Sequence, residues 1–114
     1  MRIQVKGRNG ATVDDEVRSR VEKKLAKVSR QVSPLAVLEI ELSEERNPAI
    51  KDSQIAEATL HLKGVTLRAS ERSTDMGHSI NMLADDLARQ VKKHRDKRRG
   101  RREAHKAAAQ QQAV

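Results

Sequence analysis

The 114-residue chain contains no cysteine, phenylalanine, tyrosine or tryptophan, and only two prolines. Without cysteine there is no disulfide framework, no thiolate zinc site and no thiol nucleophile. Without aromatic rings, any core must be built from Leu, Ile, Val, Met and Ala, and the platforms that stack splayed single-stranded bases are missing. No apolar run approaches the roughly 20 residues of a membrane span, and the opening "MRIQVKGRNG" lacks the apolar segment of a signal peptide. The expected location is the cytoplasm. At this length the chain can build one modest core.

What the chain does have is positive charge, concentrated in one place. The formal net charge is +8, from 24 basic and 16 acidic side chains. Between Arg89 and Arg102, in "RQVKKHRDKRRGRR", stand nine Lys or Arg and a single acid, Asp96, so the rest of the chain balances at 15 of each sign. A neutral domain with one basic spine points to a polyanionic partner met along a line.

Hydrophobic periodicity divides the chain into six elements. "RIQVKGR" alternates Ile3 and Val5 with polar residues, as a half-buried strand does. Thr12 opens a capping-box-like "TVDD", and Val13, Val17, Val21, Leu25, Val28 and Val32 then form one stripe. A helix is expected from about 13 to 32, ended at Ser33-Pro34 because proline disfavours helical geometry in the residue before it. "LAVLEIELSEE" sets Leu38, Ile40 and Leu42 against Glu39 and Glu41, a strand with one wet face. After the polar loop "SEERNPAIKDSQ", "IAEATLHLKGVTLRASE" gives two strands around Lys63-Gly64. The last helix is expected to be capped by Ser73 or Thr74, with Met76, Ile80, Leu83, Leu87 and Val91 within about 80° of the helical wheel. Beyond Val91 the next positions on that face are His94 and Arg98, so the helix continues without a core beneath it. Gly100 is the expected terminator, and residues 100–114 form a basic, Ala- and Gln-rich tail. The order β-α-β-β-β-α implies a two-layer α+β domain over residues 1–99. It has a four-stranded mixed sheet with two helices on one face and parallel pairing of the first two strands.

Catalytic and metal chemistry find little support. The four histidines, His61, His78, His94 and His105, fall in different settings, with no HxxxH or HExxH spacing, so neither a metal nor a cofactor is expected. Ser73, Asp75 and His78 are close in sequence, but Ser and Asp are ordinary helix-start residues and no strand–nucleophile–helix elbow surrounds them. Asp85 and Asp86 are adjacent on a helix, so their side chains diverge by about 100° and cannot share an acid–base site. The chain reads as a non-enzyme.

The basic spine carries the functional signal. Arg89, Lys92 and Lys93 fall opposite the Leu83, Leu87 and Val91 stripe, while Lys24 and Lys27, with Lys23 and Arg30 nearby, lie off the stripe of the first helix. Side by side, the two helices would line one groove with cations. Basic residues at a helix C-terminus stabilise it by a few tenths of a kcal/mol, which does not account for nine. Membrane insertion requires large apolar side chains opposite the charge, and after Val91 there is no Leu, Ile, Met or aromatic residue. Nucleic acid remains, through phosphate and ribose contacts to double-stranded or tRNA-shaped RNA.

These residues match a known pattern over about residues 1–99. "VEKKLAKV", "AEATLHLKG" with "LRAS", "TDM" followed by Ile80, and "LARQVKKHRDK", in this order and spacing, resemble the ribosome hibernation promoting factor family, also called ribosome-associated inhibitor, protein Y or sigma-54 modulation protein. The resemblance implies a fold similar to double-stranded-RNA-binding domains. It further implies docking on the small ribosomal subunit, in the channel of messenger RNA and the A- and P-site tRNAs, and inhibition of translation under stress or in stationary phase. Carried onto this chain, contacts to 16S ribosomal RNA would come from Lys24, Lys27, Arg89, Lys92, Lys93, Arg95 and Lys97. A general double-stranded-RNA binder is the alternative. The family usually has Tyr after the Asp-Met pair where this chain has Gly77, which implies a missing contact and a looser helix start. Long members carry a C-terminal dimerisation domain beyond a linker. The ending "AAAQQQAV" fits either a short form or the start of such a linker, and dimerisation is expected only where that further domain is present.

Overall fold

The computed structural model describes the backbone of residues 1–112, and side chains as far as Arg98. Its elements run β1 (Arg2–Arg8), α1 (Asp15–Ser29), β2 (Val37–Glu44), β3 (Gln54–Leu62), β4 (Val65–Ser73) and α2 (Met76–Gln112). The sheet order is β1-β2-β3-β4, with β1 parallel to β2 and the remaining pairs antiparallel. This is the mixed, four-stranded, two-helix architecture expected from the periodicity.

Alternation along the strands decides which side is covered. Leu38, Ile40 and Leu42 of β2 and Ala56, Ala58 and Leu60 of β3 turn inward and are buried. They meet Val21, Leu25 and Val28 of α1 and Ile80, Leu83, Ala84, Leu87 and Val91 of α2. Each fully buried Leu contributes about 1.5–3 kcal/mol of hydrophobic stabilisation, and without aromatic rings the core depends on many such contributions. Val13, Val17, Val32 and Met76 sit at its margins, partly buried.

Both helix starts differ from the sequence expectation. Asp14, not Thr12, caps α1: its backbone is extended and its Oδ1 accepts from the Val17 amide at 2.9 Å. Thr12 and Val13 are instead used to carry the chain from the turn after β1, where Asn9 and Gly10 have positive φ, to the core. For α2 the cap is Asp75, whose Oδ2 accepts from the His78 amide at 3.0 Å. Ser73, expected as a cap, is the last residue of β4 and is buried. Its hydroxyl lies 2.7 Å from that of Ser79, which donates to the Gln54 carbonyl at 2.7 Å and ties α2 to β3.

The helix ends differ too. α1 stops at Ser29, three residues before the expected end, because the turn into β2 takes more chain than Pro34 alone demands. Gln31 closes the end by donating from Nε2 to the Lys27 carbonyl, and Ala36 donates to the Ser33 carbonyl. α2 does not stop at Gly100 but runs to Gln112. A glycine inside a helix costs about 1 kcal/mol relative to alanine, less than is needed to end a helix flanked by good helix formers. Because the last core residue is Val91, about 30 Å of helix extends beyond the core at 1.5 Å per residue. The molecule measures 68 × 29 × 18 Å accordingly.

Candidate nucleic-acid interface

The two helices lie on the same face of the sheet, and a groove of about 420 Å³ runs between them. Its α1 wall carries Lys23, Lys24, Lys27 and Arg30; its α2 wall is Asn81, Ala84 and Asp85. Lys24 is exposed and Lys27 half-buried, so both present their ammonium groups at the groove. The pooled cation groove expected from the sequence therefore forms on the α1 side only. Facing it across the groove is a carboxylate, and Lys27 Nζ pairs directly with Asp85 Oδ1.

That carboxylate is firmly ionised. The hydrogen bond from Lys27 and then the charge of Lys27 hold Asp85 below the usual carboxylate range; desolvation opposes them, and Arg89 and then Lys24 add lesser effects in the lowering direction. The neighbouring Asp86 points elsewhere: its Oδ1 accepts from Gln90 Nε2 at 3.3 Å and lies 3.5 Å from Arg89 Nη2. The two acids diverge as adjacent helix residues must.

Arg89, Lys92 and Lys93 are exposed on the outer surface of α2. Arg95 lies on the side of α2 facing the end of α1, in a shallow cleft of about 170 Å³ with Val32, Ser33 and Leu62. Lys97 lines a neighbouring depression of about 370 Å³ beside the Lys63-Gly64 turn. The seven residues singled out from the sequence thus follow the two helices as a band rather than converge on one point. Three further basic or titratable groups, Lys63, His94 and Arg98, join the band by lining both depressions. The helical spacing Val91, His94, Arg98 already signalled two of them; Lys63 required the hairpin to fold back beside α2.

The opposite side of the sheet has another character. Glu39, Glu41 and Glu57 face a broad concavity there, with Glu41 paired to Lys6 at 3.4 Å and to Arg8 at 3.2 Å, and Glu39 beside His61 at 3.1 Å. A polyanion is accordingly favoured on the helical face and opposed at the centre of the sheet. Ser73, Asp75 and His78 form no nucleophilic triad. Ser73 is buried, Asp75 caps the helix, and His78 is exposed and linked to Asp75 through its backbone amide.

At Gly77 the expected loss of a contact is made good by another residue. The Arg20 guanidinium of α1 lies over the glycine, where a Cβ would stand 2.5 Å from Nη1 and 3.2 Å from Asp75 Oδ2. Gly77 is buried beneath this cover, and the helix start is capped, not frayed.

The fold is a two-layer α+β domain whose helical face carries the cations. Residues 3–99 match the family described as sigma 54 modulation protein / S30EA ribosomal protein, and the chain belongs to that family. It is 32% identical over 103 residues to a ribosome hibernation promotion factor of a Picosynechococcus strain, covering 90% of this chain and 53% of that protein. To the factor of the same name from Staphylococcus aureus it is 35% identical over 97 residues, covering 83% of this chain and 48% of that protein. The chain thus spans about half the length of these curated relatives. Among solved structures, the Thermus thermophilus protein Y N-terminal domain superposes with a TM-score of 0.71 at 29% identity, covering 82% of this chain and 99% of that one. A ribosomal subunit interface protein from Coxiella burnetii gives 0.68 at 26% identity, covering 84% and 99%.

Proposed function

We propose that residues 1–99 form the ribosome-binding domain of a hibernation factor, with residues 100–114 as a tail or the start of a linker. The domain docks its helical face on 16S ribosomal RNA of the small subunit, in the channel otherwise used by messenger RNA and the A- and P-site tRNAs. Occupancy of that channel inhibits translation under stress or in stationary phase. The observation that carries this reading is the cationic band from Lys24 and Lys27 through Arg89, Lys92 and Lys93 to Arg95 and Lys97, on a chain of this family. The chemistry is occupancy rather than catalysis. Lysine and arginine heads neutralise phosphates and release counterions, and the absence of aromatic rings leaves shape and charge to do the recognising.

Three experiments test it. If about six phosphates are neutralised, affinity for small subunits falls by about three orders of magnitude between 50 and 200 mM salt. Small subunits preloaded with messenger RNA and P-site tRNA should resist binding at concentrations that saturate empty subunits; equal binding to both would refute the channel site. A general double-stranded-RNA binder would be displaced from subunits by an equal mass of plain RNA duplex, whereas a ribosome-specific domain would not.

A further inference from the structure

Asp85 is an odd residue to find in the middle of a phosphate-binding surface. It lies in the groove with Lys23, Lys24, Lys27 and Arg30, its side chain is 69% exposed, and it holds the half-buried Lys27 in an ion pair between the two helices. An exposed pair of this kind adds little to folding, so stability alone is a weak reason for it. Toward an approaching polyanion it acts directly, because a phosphate that would bind Lys27 must displace a carboxylate already there and then lie beside its charge. Next to it, Asn81 lines the same groove, and its Oδ1 is buried with no hydrogen-bond partner.

A carboxylate accepts hydrogen bonds and donates none. Against a uniform row of phosphates, Asp85 has nothing to gain. Against unpaired bases it meets imino donors and unconstrained amino donors; in a plain A-form duplex the imino protons are engaged in pairing and most remaining amino protons lie in a deep, narrow major groove that side chains do not enter. From this chemistry we propose that Asp85 is a specificity-determining residue: its pairing with Lys27 penalises RNA that offers only phosphates, and favours folded RNA that supplies a base donor to the carboxylate as a phosphate takes over Lys27. Discrimination of this kind comes from a repulsive element built into an otherwise attractive surface. The inference rests on the RNA-binding reading above.

The test uses the full chain with Asp85→Asn and, as a second removal of the charge, Asp85→Ser. Apparent affinities for purified small ribosomal subunits and for a plain RNA duplex are measured over a range of salt, with thermal melts to confirm folding. Freeing Lys27 is expected to add one phosphate contact on the duplex, steepening the slope of log K against log salt by about 0.9 and raising affinity about 8-fold at 0.1 M salt. Affinity for small subunits should stay level or fall, so the preference for subunits narrows by the same factor or more, while Asp85→Glu retains it. If both affinities rise equally, or duplex affinity and slope do not change, the proposal is overturned. Failure of the unsubstituted chain to bind small subunits would instead sink the RNA-binding reading itself.

Discussion

Alanine at position 7 and alanine at position 77 should move stability in opposite directions, although both glycines are tightly surrounded. At Gly7 an added Cβ would stand 2.3 Å from the Ala11 carbonyl oxygen and 3.2 Å from Val13 Cγ2. The obstructing atom is backbone, held by the Arg8–Ala11 turn in which Asn9 and Gly10 already occupy positive φ. The chain there must move as a unit, and overpacking of this kind costs about 1–3 kcal/mol. At Gly77 the nearest obstruction is the end of the exposed Arg20 side chain, which can swing away. The Asp75 Oδ2 cap oxygen follows at 3.2 Å and need give by only a few tenths of an ångström, and the position is the first turn of a helix. Replacing a helical glycine by alanine there gains about 0.5–1 kcal/mol, less whatever the displaced guanidinium contributed. For a domain of this size 1 kcal/mol corresponds to about 4–8 °C in Tm. Urea titration followed by circular dichroism gives both changes as midpoint shifts at constant slope. A Gly77→Ala variant as unstable as Gly7→Ala would show that Arg20 is fixed in place, and that distinguishing mobile from immobile obstructions is mistaken here.

Other outcomes follow from the same geometry. Leu87→Ala removes a fully buried side chain between α2 and the sheet and should cost about 2–5 kcal/mol by denaturant unfolding; a loss under 1 kcal/mol would mean that the α2 stripe is not core. Asp14→Ala removes the α1 cap and should cost about 1 kcal/mol, whereas Thr12→Ala should cost less, the reverse of what the capping-box reading implies. Lowering of the Asp85 pKa in the folded state means that the unfolded chain takes up that proton first. The pair's contribution, at most about 1 kcal/mol for so exposed a bridge, is therefore complete above the ordinary value of 3.8 and lost as pH falls through the lowered one. Any stability advantage of the unsubstituted chain over Asp85→Asn should accordingly vanish in acid, and a gap that widens there would contradict the assignment.

Strand pairing and core composition were legible in the sequence because burial imposes a period. Leu38, Ile40 and Leu42 alternate with Glu39 and Glu41, and one helical stripe joins Ile80, Leu83, Leu87 and Val91. Helix ends were less legible because several residues compete for each cap. Thr12 and Asp14 both suit an N-cap, and the choice depended on how far the chain must travel from β1 before turning. Gly100 illustrates the opposite error, since one unfavourable residue does not outweigh a run of favourable ones. In the basic band, the outward placement of Arg89, Lys92 and Lys93 followed from the wheel. The pairing of Lys27 with Asp85 and the cover of Gly77 by Arg20 did not, because each depends on the offset at which α1 docks against α2. Long-range side-chain partners of this kind have no period to betray them.

The central claim, that the cationic helical face is the surface that meets the small ribosomal subunit, is tested most directly by sedimentation. The unsubstituted chain and a Lys92→Glu, Lys93→Glu, Arg95→Glu variant are each run through sucrose gradients with purified small subunits at 50 mM salt. All three residues are exposed and outside the core, so the variant should melt like the unsubstituted protein. The account predicts that the unsubstituted chain co-migrates with the subunits and the folded variant stays at the top of the gradient. Co-migration of both, or of neither, would contradict it.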